Sequence, residues 1–174
     1  MRNAQQLLTQ YAAYHRDRRN IATHFIGVPM IVFGIGVLLA SITFVVNGVP
    51  VTAAWLAFAL AAAWYLTRGL AVGGATSAVV GVLMLLAHAV SGGGLASVLA
   101  WGLGFFVVGW VIQFVGHYYE GRKPAFADDL VGLLVGPMFI VAEWMFMLGW
   151  NKPLLQAIEA EVGPTVLRDL AHPA

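Results

Sequence analysis

The chain has 174 residues, 60% of them hydrophobic and 10% charged, with a formal net charge of +1. Soluble domains carry roughly 25% charged residues, so the composition points to a polytopic membrane protein, and a net charge near zero gives a nucleic-acid partner no electrostatic support. There is no cysteine, which excludes disulfides, thiolate metal sites and cysteine nucleophiles.

Residues 1–19 read as a short amphipathic helix. Ala4, Leu7, Leu8, Tyr11 and His15 recur at three- and four-residue steps, and Arg16, Arg18 and Arg19 follow. Such a segment is expected to lie on the membrane surface. It is polar and arginine-rich, unlike a cleaved signal peptide. No Asp, Glu, Lys or Arg occurs between Arg19 and Arg68, and none between Arg68 and Glu120. Each of these runs holds a turn near its middle, at Asn47–Pro50 and at Ser91–Gly94. Since a spanning helix needs roughly 20 apolar residues, two helical hairpins are predicted, with spans at 25–46, 51–67, 70–90 and 95–116. The second is short and must tilt little or thin the bilayer. A fifth apolar segment, 130–150, follows Asp128 and Asp129, two N-cap candidates. It contains Pro137 and Glu143, so it either spans or re-enters. Residues 151–174 form a polar tail whose short helix is broken at Gly163-Pro164. The expected class is therefore all-α: a membrane helix bundle with one transmembrane domain over 1–150 and a separate tail over 151–174.

Orientation follows from positive charge. Arg2, Arg16, Arg18, Arg19, Arg68, Arg122 and Lys123 fall on one side of the predicted hairpins, so that side is expected to be cytoplasmic. The same topology brings His15, His24 and His117 to one depth at that boundary, with His88 near the opposite face and His172 in the tail. Gln113, His117 and Glu120 stand four and three residues apart and share a helix face before Pro124 ends the helix. Three imidazoles and a carboxylate at one depth suit a metal such as zinc, iron, copper or nickel.

His15 and His24 are nine residues apart, so one continuous helix would hold them on opposite sides. A shared metal requires a break, and the expectation is that the first helix ends near Arg19 and a second begins near Asn20. Each residue also has a plainer reading. His24 could be an interfacial histidine bonded to a carbonyl, and Glu120 could pair at the surface with Arg122 or Lys123. Glu143, a carboxylate in an apolar segment, either orients a histidine or is a protonated structural group. His88 reads as packed or interfacial.

Three blocks of sequence together resemble a known family: Tyr14-His15, Asn20 and His24 through Pro29; Gln113, Gly116-His117, Glu120 and Pro124-Ala125; and Gly136-Pro137, Phe139 and Glu143. The family is that of the fungal endoplasmic-reticulum 2-hydroxy fatty acid dioxygenase, and the resemblance covers about residues 5–150. It implies an Fe(2+)-dependent dioxygenase that uses O2 to remove one carbon from a 2-hydroxy fatty acid, with His15, His24 and His117 as metal ligands. On that reading Glu120 or Glu143 would accept a proton from the substrate hydroxyl. Asn20 and Gln113 would lie around the metal or the substrate. Arg16, Arg122 or Lys123 would attract either the carboxylate or a membrane phospholipid. A bacterial inner membrane and an endoplasmic reticulum both fit, and homo-oligomer formation is left open. Two other classes compete: a membrane hydrolase with zinc and a Glu base, and a non-enzymatic small membrane protein such as a transporter or scaffold. A transporter would need a polar path, for which only Glu143, His88 and a few Ser and Thr residues are available.

Overall fold

The structure is a computed structural model that describes residues 2–170; His172 lies outside the described residues. The protein is a membrane protein of the all-α class. Helix α1 (Ala4–Ala12) is followed by α2 (Arg18–Ala40), a hairpin of β1 (Thr43–Val46) and β2 (Val49–Thr52), α3 (Ala53–Leu66) and α4 (Leu70–Ser91). Next come the short α5 (Gly94–Ser97), a π-helical stretch Val98–Leu103 and α6 (Gly104–Glu120), which together form one 27-residue helix. Helices α7 (Gly132–Met147) and α8 (Lys152–Val162) close the chain. Among the described residues, three helices are long and apolar enough to cross a membrane, namely α2, α4 and Gly94–Glu120.

Several boundaries differ from those the sequence predicts. The first span begins at Arg18 and ends at Ala40, because residues 43–52 pair as strands. Asn47 and Gly48 both have positive φ, 51° and 79°, as a two-residue hairpin turn requires, and the flanking β-branched residues favour a strand. Helix α3 has 14 residues, fewer than a membrane crossing ordinarily takes. The fifth segment is α7, 16 residues long, and the short helix of the tail is α8, which ends before Gly163 and is bent by 114° from α7. Pro137 sits inside α7 without ending it. Asp128 and Asp129 do not cap that helix, which starts at Gly132. Asp128 instead pairs with Lys123 and Tyr14, and Asp129 with Arg2 and the Val131 amide.

The chain divides into two units. One runs from Pro29 to Trp110; the other joins the residues up to Val28 with those from Val111 onward. In the first, α3 packs against α4, and Gly73 lets α4 approach the Tyr65 carbonyl so closely that a Cβ would collide with it. Gly34 of α2 meets the backbone of Gly102 and Phe106, with an added Cβ 2.7 Å from the Gly102 oxygen and 2.8 Å from the Phe106 nitrogen. Small residues that let helix backbones touch are a common device in membranes. His88 is a packed residue in this unit. Its Nδ1 bonds the Met84 carbonyl, its Nε2 lies 2.8 Å from the Thr52 hydroxyl, and its ring stacks on Trp55.

In the second unit α1 is not an isolated surface helix. A capping box of Asn3 and Gln6 starts it, and Leu7, Leu8, Tyr11 and Ala12 are buried where it packs against α7 and α8. Residues 13–17 then turn the chain into α2. The break between His15 and His24 is therefore present, but α2 begins at Arg18, so Asn20 lies inside it and Asp17 occupies the position before its first turn.

Backbone contact at Gly34 gives a direct test of the packing. Gly34→Ala is expected to cost about 1–3 kcal/mol by overpacking, read as a lower unfolding midpoint in detergent. Gly74→Ala, where an added Cβ meets nothing within 4 Å, is expected to be neutral or stabilising because alanine favours a helix.

Candidate metal centre

His15, His24 and His117 come together in the second unit. Their ligand atoms lie within 4.8 Å of one another, and the three residues are 0%, 2% and 7% exposed. Each has a different local origin. His15 sits in the turn after α1, where its Nδ1 is 2.7 Å from the Tyr11 carbonyl and its ring stacks on Tyr11 with centroids 4.1 Å apart. His24 is on the second turn of α2, with Nδ1 2.8 Å from the Asn20 carbonyl. His117 is on the last turn of α6. Phe139 of α7 closes another side, 5.4 Å from the His15 ring. It is this residue of the Gly136–Glu143 block that reaches the cluster.

The protonation pattern is fixed by elementary chemistry. A backbone carbonyl only accepts, so Nδ1 of His15 and Nδ1 of His24 must each carry the hydrogen that bonds it. In the neutral ring Nε2 is then a bare lone pair. The two Nε2 atoms face each other at 3.0 Å. Two lone pairs at that distance repel unless a cation lies between or beside them. Burial, followed by the neighbouring His24 ring, holds His15 well below the usual imidazole range, which opposes a proton in that role. His117 adds a buried Nδ1 with no hydrogen-bond partner. Three neutral imidazoles whose free nitrogens converge fit a borderline transition metal such as iron or zinc. Backbone carbonyls set the tautomer of His15 and His24, the part that the sequence offered to Glu143.

A second layer of polar groups builds the turn that carries His15. Glu120, 1% exposed, accepts on one carboxylate oxygen from the amides of Arg16 at 3.0 Å and Asp17 at 2.8 Å and from the Asn20 side chain at 3.0 Å. Its other oxygen pairs with Arg168 at 2.9 Å. Gly116, one residue before His117, lets α6 approach α2 so closely that a Cβ would strike Thr23 Oγ1 and Asn20 Oδ1. Gln113 is 3% exposed, and its Nε2 is buried without a partner. Glu143 is half-buried on α7, among the charges that act on Arg16.

The three cations singled out in the sequence are differently occupied. Arg16 is 5% exposed, its Nε donating to the carbonyls of Ala12 and His15 and its Nη1 to the carbonyl of Gly163. Lys123 pairs with Asp128 on the surface. Arg122 donates to the Ala13 carbonyl and lines a cavity of about 470 Å³ that His117 also lines.

Sequence reasoning missed Asp17 and Arg168. Asp17 is fully buried. Burial raises its carboxyl, but hydrogen bonds from the Arg19 guanidinium and from the Arg168 and Arg19 amides outweigh this and bring it to about 2. A signal was available, since Asp17 is the one acidic residue before Glu120. Arg168 had none. It arrives on the segment after α8, which runs beside residues 16–18 through bonds from Val166 to Arg16 and from Arg18 to Val166, 2.8 and 3.0 Å.

Comparison with known proteins gives two findings. A family model described as 2-hydroxy-palmitic acid dioxygenase Mpo1-like matches residues 1–148. The chain is also similar to the 2-hydroxy-palmitic acid dioxygenase MPO1 of Saccharomyces cerevisiae, with 32% identity over 157 residues, covering 87% of this chain and 85% of the yeast protein. No solved structure matches the chain.

Glu120→Ala removes the acceptor from two backbone amides and strands the Arg168 guanidinium. Breaking a buried charged network in this way costs about 3–5 kcal/mol, and the expected result is a matching loss in chemical unfolding together with poor metal retention. Glu120→Gln, which keeps an acceptor for the amides, is expected to lose less on both measures.

Proposed function

Because the chain belongs to the 2-hydroxy-palmitic acid dioxygenase Mpo1-like family, we propose that it is a non-haem Fe(II) enzyme that shortens a 2-hydroxy fatty acid by one carbon. The observation that carries the reading is the pair of facing Nε2 lone pairs of His15 and His24 beside the ring of His117. Atoms balance if the 2-hydroxy acid and one O2 give the acid one carbon shorter, carbon dioxide and water, with the C1–C2 bond broken and O2 fully reduced. Ferrous iron, when bound, supplies the one-electron chemistry that lets O2 react with a closed-shell acid.

The rest is done by this chain's own residues. His15, His24 and His117 would hold the metal through neutral imidazoles, a set that leaves positions open for oxygen donors. Tyr11 and Phe139 stack and tilt against His15 and keep water from that side. Glu120, with its oxygens committed to Arg16, Asp17, Asn20 and Arg168, acts as a positioning residue. Gln113, with an unmet buried N–H four residues before His117, is the better candidate to hydrogen-bond a substrate oxygen. Glu143 remains a candidate proton acceptor. Arg16 just before α2, Arg18 and Arg19 at its start and Arg122 just after α6 put positive charge at the helix ends that carry His24 and His117, which supports a cytoplasmic site.

The test is oxygen uptake by detergent-purified protein loaded anaerobically with Fe(II), on adding 2-hydroxypalmitate. Uptake matched by a fifteen-carbon acid, and abolished when zinc replaces iron, is the expected outcome. His117→Ala is expected to lose both iron and turnover while staying folded. No uptake by protein that demonstrably holds iron would contradict the reading and favour a hydrolase.

A further inference from the structure

We propose that Arg168, on the segment after α8, is the residue that binds the substrate carboxylate; the inference rests on the fatty-acid reading above. The cavity of about 470 Å³ next to the metal centre is lined by His117, Glu120 and Arg122 of one segment and by Arg168 and Asp169 of another. His117 is the histidine of the cluster that lines it, so a ligand in this cavity meets the metal centre from that side.

Arg168 is pinned at both ends. Its amide donates to Asp17 Oδ2 at 2.8 Å, its carbonyl accepts from Arg19 Nη2 at 2.8 Å, and its own Nη2 pairs with Glu120 at 2.9 Å. Its Nε is buried with no hydrogen-bond partner. An unmet buried donor on a guanidinium is costly, and a planar cation with one free edge position is suited to a carboxylate. Glu120 is already held by two amides, the Asn20 side chain and one nitrogen of Arg168, which leaves Nε as the position for an incoming carboxylate. Arg122 contributes a second cation to the same wall. The other nearby cations are occupied: Arg16 by three carbonyls, Arg19 by Asp17, Lys123 by Asp128. Arg168 lies beyond the residues the family model matches, so the anchor would be a feature of this chain's own C-terminal segment.

Equilibrium binding of radiolabelled 2-hydroxypalmitate to the full-length, metal-loaded protein under anaerobic conditions tests this without turnover. The uncharged 1,2-diol of the same chain length is the comparison ligand. Arg168→Gln is expected to weaken acid binding roughly 10- to 100-fold more than diol binding, with both measured per bound metal. Arg168→Lys, which keeps the charge opposite Glu120 but lacks Nε, is expected to fall between. Acid binding equal to wild type in Arg168→Gln overturns the proposal. If Arg168→Gln loses metal, Arg168→Lys decides: equal losses for acid and diol mean that Arg168 only braces the Glu120 network, and a loss confined to the acid sustains the proposal. Acid that binds through Arg168 but is never oxidised would sink the dioxygenase reading and leave the carboxylate site standing.

Discussion

The candidate metal centre depends on two imidazole nitrogens that each keep a bare lone pair. Nδ1 of His15 and Nδ1 of His24 are committed to the carbonyls of Tyr11 and Asn20, and the opposed Nε2 atoms stand 3.0 Å apart. In a dry site such an arrangement is unfavourable by itself, because neither lone pair is met. It becomes favourable when a cation accepts both. The fold therefore holds a repulsive pair in place, and the force to do so must come from the surrounding scaffold.

That scaffold is a chain of hydrogen bonds centred on Glu120. One carboxylate on α6 grips the amides of Arg16 and Asp17 and the side chain of Asn20, so the turn bearing His15 and the helix bearing His24 are tied to the helix bearing His117. Buried polar networks are worth having only when their members are satisfied. Asp17 and Arg168 extend this one, with the segment after α8 bridging to residues 16–18, and leave Arg168 Nε as its unmet donor. Tyr11 and Phe139 add the apolar wall. An alanine at Gly116 would part α6 from α2 at Thr23 and Asn20.

Much of this was legible in the residues. Charge-free runs between Arg19, Arg68 and Glu120 reveal the long apolar helices, and the need to bring His15 round to His24 forces a break before α2. The residues that resist sequence reading are those whose role depends on distant partners. Asn47-Gly48 marks a turn, but only strand pairing of 43–52 shows that the turn belongs to a hairpin of strands. Asn20 looks like a helix cap, yet its side chain serves Glu120, 100 residues away. Arg168 carries no local signal, because its meaning comes from Asp17, Arg19 and Glu120. Glu143 shows the opposite case. A carboxylate in an apolar segment attracts notice, while carbonyls four residues upstream orient the histidines.

The most direct test of the account is X-ray absorption at the iron edge of the anaerobically loaded protein. One iron per chain with the outer-ring scattering of three imidazoles is the result the account requires. Iron bound through oxygen donors alone, or through fewer imidazoles with His15 or His24 outside the coordination sphere, would contradict it.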